Sequence, residues 1–177
     1  FRKALKNKKC KKNCIQFIDK KSKKNVSYLL SKMPKYIDVI IPRGGKSLIK
    51  IVKAKAKVPV IGHLAGICHV FVHKSADLKM AIKIVENAKM RNVSICGATE
   101  TLLIDMKCIK THCQPILENL SKLGCEIIGD KIIKNKFSGK IKIAELKDWN
   151  TEYLSPKISV KSVNGVDEAI DHINRYG

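Results

Sequence analysis

Tyr36-Ile37-Asp38-Val39-Ile40-Ile41-Pro42-Arg43-Gly44-Gly45-Lys46-Ser47 is the stretch on which the fold turns. Its first six residues are β-favouring and nearly all apolar, which suits a strand buried on both faces of a parallel sheet. Pro42 to Gly45 break the run as a turn. Ser47 can cap a helix from Leu48 to about Lys57, with Leu48, Ile51 and Val52 on one face. Val58-Pro59-Val60-Ile61 is the next short strand. Strand, glycine turn, helix and strand in that order make a βαβ unit.

The pattern continues in both directions. Upstream, Cys14-Ile15-Gln16-Phe17-Ile18 has the length of a strand, and Ser27 to Met33 has helical spacing stopped by Pro34. Downstream, Cys68 to Val72 reads as a strand. Ser75 or Asp77 caps a helix through about Lys89, and Arg91 to Cys96 is irregular. Thr99 to Ile104 is a strand, and Cys108 to Leu123 an amphipathic helix closed by Gly124. Strands follow at Cys125–Ile128, Lys140–Ile143 and Ile158–Val163, then a last helix to Tyr176. Alternating strands and helices predict an α/β fold with a mainly parallel sheet.

Composition narrows the function classes. The 177 residues carry a formal net charge of +21, which invites a nucleic-acid partner. Of the 36 basic residues, however, only Arg2, Arg43, Arg91 and Arg175 are arginine. Base and phosphate recognition favours the planar arginine fork. The lysines are spread along the whole chain, so the sequence reads as a solvated, lysine-biased surface. The exception is Arg2 to Lys24, with eleven basic residues and the single acid Asp19; it reads as a poorly ordered basic tail. No apolar run approaches the roughly 18 residues needed to span a membrane. Seven cysteines without a signal sequence point to the cytoplasm. They form no Cys-x-x-Cys pair, and of His63, His69 and His73 the last two straddle a predicted strand and would not share a face well, so no metal is expected.

Two stretches could carry chemistry. Cys96 lies in a loop between a helix and a strand, where substrate can reach a thiol. Lys89 and Arg91 are close enough in sequence to favour its thiolate, and Gly97 and Ala98 allow backbone N–H groups near an oxyanion. Arg43, Gly44 and Gly45 form a strand-to-helix turn that can present N–H groups to a phosphate. Neither is decisive alone.

Several blocks in order carry more. Tyr36 to Gly45, Val58 to Ile61, Gly66 to Val72, Asn87-Ala88-Lys89, Cys96 with Glu100 to Leu103, Trp149 to Leu154 and Asp167 to Ile173 together resemble the glutamate-5-phosphate reductases (γ-glutamyl phosphate reductases) of the aldehyde dehydrogenase superfamily. The resemblance runs from about Cys14 to Gly177. It implies reduction of L-glutamate 5-phosphate to the semialdehyde with NADPH, in proline biosynthesis. It implies that Cys96 attacks the acyl phosphate, that Arg43, Gly44 and Gly45 line the cofactor side, and that Glu152 holds the nicotinamide ribose.

Departures from the family pattern are Val93-Ser94-Ile95 for Pro-Ser-Thr, Ser155-Pro156-Lys157 after Leu154, and the His63-Leu64-Ala65 loop. A complete member is more than twice as long. The expected organisation is therefore a basic tail at 1–24, the end of a Rossmann-like cofactor domain at 25–61, and a C-terminally truncated catalytic domain at 62–177. Activity is expected to be impaired or lost in this form, and the expected partners besides the small-molecule substrate are a second copy in a homo-oligomer or a missing complementary segment. Two other classes remain: a basic nucleic-acid-binding module, and a structural protein that keeps the fold without chemistry.

Overall fold

A computed structural model of the chain describes residues 7, 11–20, 22–62 and 66–177. It divides into two compact units, Phe1–Leu64 and Ala65–Gly177. Residues 2–6, 8–10 and 21 of the basic tail, and the His63-Leu64-Ala65 loop, lie outside the described residues.

The first unit keeps the order of the βαβ reading with very short strands. Helix α1 (Lys23–Lys32) starts earlier than expected, because the Ser22 side chain accepts from the Lys24 N–H at 3.2 Å and caps it. Tyr36–Ile41 and Val58–Ile61 meet in one parallel bridge, Ile40 with Val60. The Ile40 N–H donates to the Pro59 carbonyl and the Ile61 N–H to the Ile40 carbonyl, both at 2.9 Å. Helix α2 (Lys46–Lys55) crosses between them, with Gly45 rather than Ser47 at its N-cap.

Two strand expectations fail here. Tyr36 is 80% exposed and Ile41 64%, so the apolar run is not a buried strand. Cys14–Ile18 is not a strand either: a 3-10 turn (Lys12–Cys14) leads into an extended segment with Phe17 87% exposed. A strand is buried when neighbours pair on both sides. Among the described residues, the first segment has a single bridge and the second has no ladder partner.

The second unit is a five-stranded sheet in the order β1-β2-β5-β3-β4, parallel throughout. The strands are β1 (Cys68–Val72), β2 (Thr99–Asp105), β3 (Glu126–Gly129), β4 (Ile141–Ile143) and β5 (Lys157–Val163). Helices α3 (Leu78–Met90), α4 (Ile109–Lys122), α5 (Lys131–Lys136) and α6 (Gly165–Tyr176) alternate with them. The α/β class with a parallel sheet is as the sequence predicts.

Period-two alternation assigns the faces. Val72, Leu102, Ile104, Ile158 and Val160 pack with α3 and α4 in the main core. Phe71, Leu103 and Val163 point the other way, onto Ala169 of α6. All seven residues of β2 are buried, because it lies between β1 and β5 with helices over both faces. Side-chain caps fix the helix starts: Asp77 accepts from Met80 N–H and Asp130 from Ile133 N–H, each at 2.8 Å. Gly124, at φ 82°, closes α4 in the left-handed conformation that glycine adopts without strain.

His172 on α6 is 5% exposed and sits among rings, with centroids 5.3 Å from His69, 5.4 Å from Trp149 and 4.7 Å from Tyr176. Burial, reinforced by the positive charge available to His69 and Lys161, pushes it down from 6.5 to about 4. The unfolded chain therefore takes up this proton first as pH falls. The stability His172 lends is complete above about 6.5 and drains away toward 4. Between pH 7 and pH 5 the folded chain should lose roughly 1–2 kcal/mol through this residue. Urea titrations at the two pH values, compared with His172→Phe, measure it; an equal loss in the variant would refute the assignment.

Candidate active site

Cys96 stands in the turn that joins α3 to β2. Ser94 N–H donates to Asn92 Oδ1 at 3.2 Å, and Ala98 N–H to the Ile95 carbonyl at 3.0 Å. These bonds fold the segment so that Cys96 and Gly97 are exposed while Ala98 is already buried. A Cβ added at Gly97 would meet no atom within 4 Å, so space is open beside the thiol.

Cys68, at the start of β1, faces this turn. Its thiol donates to the Cys96 carbonyl at 3.3 Å. The β1–β2 register slips between Cys68 and His69, the kind of irregularity that re-aims a side chain. The Cys68 thiol is pushed up, first by burial and then by the negative charges of Cys96, Glu100 and Glu152. Cys68, Cys96, Glu100 and Glu152 therefore share one electrostatic neighbourhood.

Glu152 lies in an extended segment between a 3-10 turn (Leu146–Asn150) and β5. The segment is held just past it, by Tyr153 and Leu154. Tyr153 hydroxyl donates to Asp148 Oδ1 at 3.1 Å and stands 2.8 Å from Ser159 Oγ. Leu154, at φ 49°, donates its N–H to Glu100 Oε1 at 3.1 Å. A leucine in that region is strained by roughly 1 kcal/mol, and this bond to a buried carboxylate helps hold it there.

The other oxygen of Glu100 accepts from Lys89 Nζ at 2.7 Å, and the two side chains are 1% and 0% exposed. Lys89 ends the buried stripe Ala81–Val85–Lys89 on α3. Sequence reading took Lys89 and Arg91 as the cations beside Cys96. The structure instead engages Lys89 with Glu100 and leaves Arg91 exposed. The ion pair that ties α3, β2 and the Glu152 segment together was missed. Its signal was there: a lysine in register with an apolar helical stripe, and a glutamate between two threonines at the start of a strand that runs on as Leu102-Leu103-Ile104.

Arg43, Gly44 and Gly45 belong to the first unit, Cys96 and Glu152 to the second. All three residues of the turn are exposed at the start of α2. Gly44 sits at φ 155°, where a Cβ would come within 2.7 Å of Leu48 Cδ2. The backbone thus enters the helix by a path that needs glycine. Among the described residues no three histidines, cysteines or carboxylates gather as a metal site, and no helix is long and apolar enough to cross a membrane.

An exposed thiol in an open turn, a carboxylate on a pinned strap and a parallel α/β sheet thus lie together in the second unit. No family model matches the chain. Curated proteins do: it is 47% identical over 165 residues to the γ-glutamyl phosphate reductase of Methylobacterium nodulans, covering 93% of this chain and 38% of the relative. It is 49% identical over 164 residues to that of Allorhizobium ampelinum, with the same coverage. The crystal structure of γ-glutamyl phosphate reductase from Thermotoga maritima superposes with a TM-score of 0.91 at 38% identity, covering 99% of this chain and 42% of that one. An acetylating aldehyde dehydrogenase from Geobacillus thermoglucosidasius shares the fold, with a TM-score of 0.70 at 18% identity. Along 93% of its length the chain is a homologue of the γ-glutamyl phosphate reductases, and it spans about two fifths of their length.

Proposed function

We propose that this chain carries the thiol site of a γ-glutamyl phosphate reductase acting in proline biosynthesis. Cys96 attacks the carbonyl carbon of L-glutamate 5-phosphate. The S–C bond forms, the C–O bond to phosphate breaks, and inorganic phosphate leaves. NADPH, when bound, supplies the hydride that turns the resulting thioester into L-glutamate 5-semialdehyde. The thiol suits both halves, because it is a strong nucleophile and its thiolate is a good leaving group. The observation that carries this reading is Cys96 itself, exposed in a turn with open space beside it, in a chain 47% identical to enzymes of that name.

The chain's own residues fit a nicotinamide cofactor in two respects. Glu152, on a strap fixed by Tyr153 and Leu154, offers a carboxylate to ribose hydroxyls beside the thiol. Arg43, Gly44 and Gly45 offer a cation and an open helix start to a phosphate. The cytoplasm fits as the compartment: the six described cysteines are all free, and the chemistry needs a reduced thiol. The proposed partner is a complementary segment that supplies the rest of the relatives' length, or a second copy of this chain in a homo-oligomer.

Acyl capture tests the reading without the cofactor. The 177-residue chain is incubated with glutamate, ATP and a glutamate kinase, then weighed intact. The expected result is one glutamyl group on Cys96, released by hydroxylamine. An adduct that survives Cys96→Ala, or none at all, would overturn it.

A further inference from the structure

We infer that Cys68 is a resolving thiol for Cys96, so that peroxide converts the site to a reversible Cys68–Cys96 disulfide. The argument starts from reach. The Cys68 sulfur is 3.3 Å from the Cys96 carbonyl oxygen. That oxygen lies about 2.4 Å from its own Cα by covalent geometry, so the sulfur is within about 6 Å of the Cys96 Cα. A disulfide needs Cβ atoms about 3.8 Å apart. The turn must then shift to bring the two sulfurs to bonding distance. The turn is suited to it: Cys96 and Gly97 are exposed, and nothing crowds Gly97. Cys68 is the fixed partner, seated on β1 and paired with Thr99 of β2.

Among the described residues the other thiols of the second unit are poor partners. Burial lifts Cys113 to about 12 and Cys125 to about 11, and Cys108 is buried against Val72 and Asp105. Cys96 is the exposed thiol of the second unit, so it is the one a small oxidant meets first.

The chemistry balances with one hydrogen peroxide. The Cys96 sulfur attacks a peroxide oxygen, the O–O bond breaks, and water leaves after protonation, giving a sulfenic acid. The Cys68 sulfur then attacks the Cys96 sulfur. The S–S bond forms, the S–O bond breaks, and the hydroxyl departs as a second water with the Cys68 proton. Two thiols are oxidised and one peroxide is reduced. The disulfide would shield Cys96 from irreversible sulfinic oxidation. Its functional consequence rests on the reading above: a sulfur held in a disulfide cannot take an acyl group.

The test uses the reduced 177-residue chain with hydrogen peroxide, alkylation of residual thiols, and mass analysis of an unreduced digest. The expected product lacks two hydrogens, links the peptides of Cys68 and Cys96, and returns to two thiols with dithiothreitol. In Cys68→Ser, Cys96 should instead gain oxygens that dithiothreitol does not remove. Sulfinic Cys96 beside an alkylated Cys68 in the unsubstituted chain, or linkage of Cys96 to a different cysteine, would overturn the inference. Trp149 fluorescence checks that Cys68→Ser is folded, and if it is not, the linkage in the unsubstituted chain decides. The masses need no turnover, so a chain that forms this disulfide but takes no glutamyl group refutes the reductase reading alone.

Discussion

Glu100→Ala should destabilise the second unit by about 3–5 kcal/mol. The substitution leaves the Lys89 ammonium, now 0% exposed, without its partner at 2.7 Å. It also orphans the Leu154 N–H, which donates to the other Glu100 oxygen. Lys89→Met should cost about as much, because it strands a buried carboxylate. The double change Lys89→Met with Glu100→Leu separates pair energy from burial. It removes both charges and restores apolar volume, so most of the loss should return. About 1 kcal/mol should stay lost, because Leu154 still lacks an acceptor while held at φ 49°. Urea unfolding followed by the chain's single tryptophan, Trp149, reads all three. Single variants within 1 kcal/mol of the parent chain would show that water reaches the pair.

Cys96→Ala should abolish NADPH-dependent semialdehyde formation, by about 10⁴-fold or more, in whatever assembly of this chain turns over. Cys96→Ser is the sharper variant. A serine hydroxyl can in principle take the acyl group, but it would leave as a poor alkoxide rather than a thiolate, so the second half-reaction should stall. The expected result is loss in both variants with unchanged Trp149 unfolding. Semialdehyde production retained in Cys96→Ala would move the chemistry to another residue. Since Cys96 is exposed and its turn is closed by backbone bonds, neither substitution should disturb the fold.

Much of the second unit was legible from pattern. Cys68–Val72 and Thr99–Asp105 are short runs between turns, and the helix that joins them carries a clear apolar stripe and a capping aspartate. The first unit was less so. Tyr36–Ile41 has the composition of a buried strand, yet burial depends on neighbours that a local window does not contain. The start of α1 at Lys23 was hidden because two lysines, Lys23 and Lys24, at a helix start run against the dipole, and only the Ser22 cap announces it.

The site divides the same way. Cys96 could be picked out from its loop position and from the ordered blocks around it. Cys68 could not be tied to it, since 28 positions separate them and only the pairing of β1 with β2 brings them together. The link from Lys89 through Glu100 to Leu154 is likewise a tertiary fact, spanning 54 positions in its longer step. Local order, apolar period and motif blocks are written along one chain, so the sequence alone determined the parallel α/β class and pointed to Cys96 as the candidate thiol. Which charges are buried, and which thiol faces which, depends on strands distant in sequence lying side by side, and that only the tertiary structure decided.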